Sequence, residues 1–234
     1  MFGDDSERCE RVNSMSVAEA VAARRSCRAF LSDAIDADFV RDVLVKASRA
    51  ASGGNVQPWR IYLLHGERMD TFKAGIAERV AKGLVDTPEY PVYPSPLKEP
   101  YRTQRFAVGE EMYARLGIPR EDKMARLEWF ANNYQFFGAP MAVFVAVDID
   151  MVTAQWTDLG GYMATVTLLL EDAGLASCSQ ECWSVQHKFV SRFVGMPAKE
   201  MLFAGIAIGK ADVEHPVNGF MTARAAPEVW LRDA

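Results

Sequence analysis

The chain has 234 residues, of which 50% are hydrophobic and 24% are charged, and its formal net charge is −5. The length fits one large domain or two small ones, and the composition differs from that of disordered or repetitive chains. The acidic balance leaves no general basic surface, so we expect no nucleic acid and no anionic membrane as partners.

The N-terminal residues and the cysteines indicate a cytoplasmic protein without a metal. Residues 1–15 lack an apolar signal-peptide core, and no stretch approaches about 20 uninterrupted apolar residues. We predict a flexible leader over 1–15. Four cysteines are too few for a disulfide framework in a chain of this length. Cys178 and Cys182, near His187, have no fourth ligand for zinc, so we expect no metal site.

The first elements of the chain carry clear local signals. Ser16 and Glu19 form a capping box that predicts a helix from Val17 to about Arg24. Asp36 is typical of a second helix start, because apolar residues then recur at helical spacing. Residues 60–64 have the composition of a strand and 67–82 that of a helix.

A proline-rich excursion interrupts this pattern. Five prolines fall within the stretch "DTPEYPVYPSPLKEPYR". They remove too many amide donors for a helix interior or a central strand. Long irregular segments of this kind are more often lids or binding loops than inert spacers, so we predict a substrate-site lid or insertion over 83–130.

The second half of the chain contains the most apolar segments. Residues 139–148 are apolar at nearly every position, which predicts a strand inside a sheet covered on both sides. Residues 210–234 are predicted to form an extended tail. The remaining predicted elements are helices over 106–116, 121–134, 157–173 and 184–194 and a strand over 201–209.

Several common catalytic motifs are missing. The sequence has no phosphate-binding loop of the nucleotide triphosphatases, no dinucleotide-binding glycine pattern and no nucleophile elbow. None of the three histidines stands where a catalytic base is obvious. If the protein is an enzyme, a cofactor is expected to supply its reactivity.

Two short segments have the chemistry of a ligand site. Arg24, Arg25, Ser26 and Arg28 suit a phosphate monoester, although a solvated basic helix end is the alternative. In "ASGGNVQPW", residues 52–54 can expose backbone amides, while the side-chain amides of the asparagine and glutamine that follow suit the edge of a uracil-like ring. The alternative for this stretch is an ordinary turn between a helix and a strand.

Four segments in order resemble the motifs of the flavin-dependent nitroreductase family. They are "RRSCRAF", "ASGGNVQPW", "DLGGYMATVTLLLEDAGLASCSQECW" and "VNGFMTARAAPEVW", which together span roughly residues 17–232. The resemblance implies one FMN-binding domain over 16–234 with an α+β, three-layer fold. Its sheet would be mixed but mostly antiparallel, and helices would wrap it. The resemblance also implies an intertwined homodimer in which the tail embraces the partner.

The resemblance places flavin contacts on particular residues. The phosphate and ribityl chain would contact Arg24, Arg25, Ser26 and Arg28, with Arg224 as a second phosphate contact. The ring would lie between Ser52 and Gly53 at its dimethylbenzene edge and Asn55 and Gln57, from the partner subunit, at its pyrimidine side. Glu181 and Cys182 would form the turn whose backbone amide faces N5. No side chain is assigned as catalytic, because the flavin would carry the hydride.

The implied reaction is the reduction of nitroaromatic compounds by NAD(P)H in a ping-pong cycle. The segment around the prolines resembles the nitrobenzoate branch of the family, in which Arg102 or Arg105 would meet a carboxylate; two solvated surface arginines are the alternative. The candidate substrate residues are Tyr93, Tyr101, Arg102, Arg105, Trp129 and Tyr134. Other flavin-dependent reductions, such as those of quinones, activated alkenes or halogenated compounds, and a non-catalytic flavin-binding dimer remain open.

Two positions depart from the family pattern. The turn at N5 usually ends in glycine, whereas this chain has Cys182, which is more plausible as a small buried hydrophobe than as a reactive thiol. In the tail a second basic residue usually stands two positions before the arginine, whereas this chain has Thr222. Phosphate binding is therefore expected to depend more on the first arginine cluster.

Overall fold

A computed structural model of the chain describes residues 14–234. Most of the predicted leader, residues 1–13, lies outside the described residues. Helix α1 (Val17–Ala23) begins at the predicted capping box, in which the Ser16 hydroxyl accepts from the Glu19 amide and the Glu19 carboxylate accepts from the Ser16 amide. The remaining helices are α2 (Ala37–Ala47), α3 (Gly66–Ala81), α4 (Tyr101–Arg115), α5 (Lys123–Ala131), α6 (Thr153–Asp172), α7 (His187–Val194) and the short α8 (Pro227–Trp230).

One four-stranded sheet lies at the centre of the fold. Its strands are β1 (Arg60–Leu64), β2 (Met141–Asp148), β3 (Ala176–Gln180) and β4 (Glu200–Gly209), in the order β1-β2-β4-β3. Every neighbouring pair of these strands is antiparallel. A single parallel bridge joins Ser26 to Ser177 at the outer side of β3. The α+β fold with a mostly antiparallel sheet is as predicted.

The alternation of side chains along β2 divides the core into two layers. Ala142, Phe144 and Ala146 belong to a cluster that includes Phe72 of α3. Residues 143, 145 and 147 belong to the opposite cluster, which includes residues of α2 and α6. Successive side chains of a strand point to opposite faces, so β2 is buried on both sides as its apolar sequence predicts. Helices therefore cover the sheet above and below.

Strand β3 has no counterpart among the predicted elements. Its sequence, ASCSQ, is short and mostly polar, and it lacks the β-branched residues that usually indicate a strand. It is a strand because its backbone pairs with β4, from Ala176 opposite Gly209 to Gln180 opposite Gly205. This tertiary pairing has no signature in the local sequence.

Four helices also begin or end away from their predicted limits, and one of them is α7, which begins at His187 rather than residue 184. Helix α4 begins five residues early, at Tyr101, where the Glu99 carboxylate accepts from the Thr103 amide at 3.2 Å. Helix α5 ends at Ala131, and the 3-10 segment after it contains Phe136 and Phe137 with positive φ. Helix α6 begins at Thr153 rather than residue 157. Within residues 14–234, no helix is both long and apolar enough to cross a membrane.

Candidate functional site

The segment that carries the arginine cluster runs beside β3. The amide of Cys27 donates to the carbonyl of Ser177 at 2.9 Å, and the amide of Arg28 donates to Oδ1 of Asn218 at 2.8 Å. Arg24 and Arg28 are half-buried and Arg25 is exposed. The ion pairs among residues 14–234 include none of these three guanidiniums. The backbone is fixed by hydrogen bonds, while the cationic groups have no carboxylate partner.

Strand β3 leads into a turn with free backbone donors. Glu181 caps a 3-10 helix, Cys182–Gln186, that continues into α7. In the turns and loops of residues 14–234, the amide of Cys182 donates to no other residue, and it lies beside its own thiol. Trp183 is completely buried beneath the turn and donates from Nε1 to Oε1 of Gln180 at 3.3 Å. A helix start with unpaired N–H groups favours an electron-rich ligand atom.

The thiols of this region are not activated. Burial raises the pKa of Cys178 and the pKa of Cys182 well above their ordinary value. Burial also raises the pKa of Cys27 to about 11. Nucleophilic thiols have lowered pKa values, so Cys182 fits the interpretation as a small buried side chain better than that of a redox thiol.

A cleft of about 770 Å³ brings the turn, one arginine of the cluster and the predicted lid together. Arg28, Glu181 and Cys182 contribute to its lining. Five of the six candidate substrate residues also line it, namely Tyr93, Arg102, Arg105, Trp129 and Tyr134. Tyr101, the remaining candidate, is exposed at the first position of α4 and is not among the lining residues.

Aromatic rings and one arginine–glutamate ion pair complete the cleft walls. Phe106, Phe130 and Phe137 join the predicted aromatic residues in the lining. Arg126 binds Glu110 through two hydrogen bonds, of 2.6 and 3.2 Å, and both residues line the cleft. This pair was not predicted, since its members lie on different helices and become neighbours only when α4 and α5 fold back on each other.

The glycine-rich loop before β1 lies elsewhere. None of its residues lines the cleft. The amide of Gly53 donates to both carboxylate oxygens of Asp158 on α6, at 3.2 and 3.3 Å. Asn55 and Gln57 adopt positive φ values of 59° and 51° and are exposed. Such backbone is costly for residues other than glycine and recurs at ligand-binding sites.

The other loop and tail candidates also lie outside the cleft. The Ser52 hydroxyl accepts from the Gln57 amide at 3.1 Å, which stabilises the loop from within. Arg224 in the tail is exposed, and its guanidinium donates only to nearby residues, including the Thr222 hydroxyl. Within one chain, therefore, the predicted flavin contacts fall into two groups. Arg28, Glu181 and Cys182 line the cleft. The residues that do not line it are Arg24, Arg25, Ser26, the loop residues Ser52, Gly53, Asn55 and Gln57, and Arg224.

The donors present in the cleft fit a phosphorylated flavin. The guanidinium of Arg28 suits the phosphate, and the amide of Cys182 suits an acceptor atom of the ring. Gln180, which sequence reasoning missed, is buried and donates from Nε2 to the carbonyl of Asn133 at 2.8 Å. Sequence reasoning also missed Asp158, which accepts from the Gly53 amide. A carboxylate in the first turns of a largely apolar helix could have indicated such a partner.

Comparison with known proteins agrees with this geometry. Residues 21–210 match the Nitroreductase family. The chain is 33% identical over 203 residues to a nitrobenzene nitroreductase of Ectopseudomonas oleovorans, covering 86% of this chain and 88% of the relative. It is 32% identical over 212 residues to a 4-nitrobenzoate reductase of Nocardioides sp. (strain LMS-CY), covering 87% and 84% of the two chains.

Solved structures show the same fold. An FMN and NADPH-dependent nitroreductase, NfnB, from Sphigopyxis sp. strain HMH superposes with a TM-score of 0.91 and 40% identity, covering 94% of this chain and 99% of its own. The FMN-dependent NfnB of Mycobacterium smegmatis, solved in complex with NADPH, gives 0.88 and 27%, covering 93% and 98%. The sequence match and the shared fold together establish that the chain belongs to the Nitroreductase family.

Proposed function

We propose that this protein is an FMN-dependent oxidoreductase that uses NAD(P)H to reduce nitroaromatic compounds by a ping-pong mechanism. The observation that carries the proposal is the cleft in which Arg28, the free amide of Cys182 and a set of aromatic side chains meet. The similarity to nitrobenzene and 4-nitrobenzoate reductases supports the acceptor class. The similarity to NfnB supports the cofactor and the nicotinamide donor.

The residues of the chain hold and polarise the cofactor. Arg24, Arg25, Ser26 and Arg28 would hold the phosphate, with Arg224 as an additional contact, because these guanidiniums form no ion pair within residues 14–234. When bound, FMN supplies the electron-transfer chemistry that no side chain of the cleft offers. The amide of Cys182 would donate to the ring, and the aromatic walls would exclude water and place a flat acceptor against it.

We further propose that the site is completed by a second copy of the chain in a homodimer. Ser52, Gly53, Asn55 and Gln57 lie outside the cleft of their own chain, and their loop is exposed and held in a strained conformation. This conformation would be explained if the loop of one chain enters the cleft of its partner and contacts the flavin there. Exposed apolar side chains are available for such an interface, including Val45, Val56, Val152 and Trp230.

The proposed domain organisation and location follow from the sequence analysis. Residues 16–234 form one FMN-binding domain, in which 83–130 acts as the substrate-site lid and 210–234 embraces the partner. The contacts of the proline-rich stretch with the cleft through Tyr93 support the lid. We propose a cytoplasmic protein, in agreement with its composition.

The first experiment is the visible spectrum of the purified protein under anaerobic conditions. We expect a yellow protein that bleaches with NADPH or NADH and regains its colour with nitrobenzene. Flavin binding without oxidation of nicotinamide would instead indicate a non-catalytic flavin protein. If FMN neither copurifies nor binds when added, the proposal is wrong.

Subunit complementation tests the shared site. We expect Arg28→Gln and the double variant Asn55→Ala/Gln57→Ala each to weaken FMN binding. When the two proteins are mixed and allowed to exchange subunits, half of the dimers are mixed, and each mixed dimer carries one intact site. About a quarter of all sites should then recover. If the mixture binds no more FMN than its separate components, the loop and Arg28 act within one chain.

A further inference from the structure

We propose that Arg105 is a specificity-determining residue that binds the carboxylate of an aromatic acid in the cleft. The proposal rests on the proposed function, since the acid would be a nitroaromatic acceptor. It distinguishes Arg105 from Arg102, which the sequence leaves as equal candidates.

The charges of the cleft identify Arg105. Four arginines line it, together with Glu110 and Glu181. Arg126 is occupied by Glu110, and Arg102 forms an ion pair of 2.7 Å with Glu99. Arg28 belongs to the proposed phosphate site. Arg105 remains: its guanidinium forms no ion pair and no hydrogen bond with any of the described residues.

Arg105 is exposed, but its guanidinium lies against an aromatic ring. Its guanidinium carbon lies 4.4 Å from the centre of the Tyr93 ring, so the cation stacks on an aromatic face. Tyr93 comes from the proline-rich stretch and Arg105 from α4, and both line the cleft. Stacking uses the face of the guanidinium and leaves its in-plane N–H donors free. A carboxylate accepts two such donors in parallel.

The rest of the cleft suits the remainder of such a ligand. Phe106, Trp129, Phe130 and Phe137 provide flat apolar surface for an aromatic ring. The nitro group would face the turn at Cys182 while the carboxylate pairs with Arg105. A carboxylate that enters the cleft loses part of its hydration, and this loss is costly unless the carboxylate finds a cationic partner. Arg105 offers that partner, so we expect the cleft to favour aromatic acids over neutral nitroaromatics.

The test compares 4-nitrobenzoate with nitrobenzene in the FMN-loaded protein. In Arg105→Gln we expect kcat/KM for 4-nitrobenzoate to fall about tenfold or more through a higher KM, because a charge-assisted pair is lost. For nitrobenzene it should change less than about twofold. Arg105→Lys keeps the charge but not the fork, and it should recover part of the preference. The matched control is Arg41→Gln, an exposed arginine on α2 outside the cleft, which should leave the ratio of the two substrates unchanged.

A binding measurement separates recognition from turnover. Benzoate carries the carboxylate without a nitro group, so titration calorimetry with benzoate and benzamide reports the pair directly. We expect Arg105→Gln to weaken benzoate alone, and added salt to reduce the wild-type preference for benzoate because the arginine is exposed. Circular dichroism shows whether Arg105→Gln is folded. If it is not, the same measurements are made with Arg105→Lys.

The outcomes separate this proposal from the proposed function. If the wild-type protein reduces neither compound, the proposed function fails. If it reduces nitrobenzene but the substrate ratio in Arg105→Gln equals that of the wild type, only the role of Arg105 is wrong. A larger loss in Arg102→Gln than in Arg105→Gln would assign the carboxylate to Arg102. A loss confined to oxidation of NADPH or NADH would also overturn the proposal.

Discussion

The side chain of Asn218 connects the C-terminal tail to the arginine segment through the amide of Arg28, which donates to its Oδ1 at 2.8 Å. Its Nδ2 group donates to the carbonyls of Ala29 and Asp212, both at 2.8 Å. The side chain is buried, so all three bonds are shielded from water. The position of Arg28 in the cleft therefore depends on a residue far away in the sequence.

We predict that Asn218→Ala destabilises the protein and weakens FMN binding together. The variant leaves the Arg28 amide without a partner. The carbonyls of Ala29 and Asp212 each lose one donor but keep the amides of Asp212 and His215. We expect the free energy of unfolding to fall by about 2 kcal/mol. Asn218→Asp is the informative companion, because it keeps an acceptor for Arg28 but places an oxygen against two carbonyls. Urea denaturation and FMN titration should show losses in both variants, whereas full FMN affinity in Asn218→Ala would contradict this role.

The backbone donor at residue 182 can be tested with two substitutions. Cys182→Ala keeps the amide and removes the thiol, so we expect FMN binding and the rate of NAD(P)H oxidation to stay near wild type. Cys182→Pro removes the N–H at the first position of a helical segment, where proline is tolerated. Its rate should fall roughly 100-fold, as when one preorganised donor is removed. A large loss in Cys182→Ala would instead assign a role to the thiol.

The fit of Cys182→Pro needs its own control. Glu181, the preceding residue, has αR backbone (φ −92°, ψ −8°), which proline disfavours in its neighbour. The free energy of unfolding must therefore be measured for both variants. If Cys182→Pro loses stability as well as rate, the turn has moved. The role of the amide as a donor is supported only if the rate of NAD(P)H oxidation falls by more than the loss of FMN binding explains.

The ion pair between Asp86 and Arg79 is expected to position the proposed lid. Nη2 of Arg79 donates to Asp86 at 2.6 Å, and the amide of Lys188 donates to the same carboxylate at 3.1 Å. Asp86→Asn weakens a partly buried ion pair and should cost about 2 kcal/mol of unfolding free energy. Because Tyr93 lies farther along the same excursion, KM for nitroaromatic acceptors should rise too. Asp33→Asn, from an exposed pair with Lys210, should cost less than about 1 kcal/mol and leave KM unchanged.

The buried thiol of Cys27 predicts a loss of stability at alkaline pH. Burial raises its pKa from 9.0 to about 11, so the folded state favours the neutral thiol. This contribution is complete below the unfolded value and is lost as pH rises from about 9 through about 11. Cys27→Ala should flatten the pH dependence of the unfolding free energy over that range. A difference between the two proteins that is independent of pH would show that the thiol does not titrate there.

Local sequence signals predict the elements that their own residues stabilise. The capping box of Ser16 and Glu19 and the apolar run of β2 are of this kind. Strand β3 is not, because its pairing with β4 and with residues 26 and 27 comes from distant parts of the chain. The order of the motifs nevertheless predicts the family, since four segments in sequence carry more information than the secondary structure of any one.

The residues of the site also divide into those that local sequence predicts and those that depend on tertiary contacts. Residue types alone indicate that arginines and aromatic side chains belong to a ligand site. They do not indicate which arginine has a partner, because the pairs of Arg102 with Glu99 and of Arg126 with Glu110 depend on the turns before and after α4. The same limit applies to Asn218 and Asp158, which accept from the amides of Arg28 and Gly53, each more than 100 residues away.

We predict that the indole of Trp183 can pack against β4 only because residue 205 is glycine. A Cβ at this position would lie 2.6 Å from Nε1 and 2.7 Å from Cδ1 of the indole, whose ring is completely buried. Gly205→Ala should therefore lower the free energy of unfolding by about 2 kcal/mol and displace the turn at Cys182, which weakens FMN binding. Trp183→Ala removes the whole indole, including both contacting atoms, so the alanine at residue 205 should cost less in that background when unfolding is measured as a double-mutant cycle. Equal costs in the two backgrounds would show that the indole is not the cause.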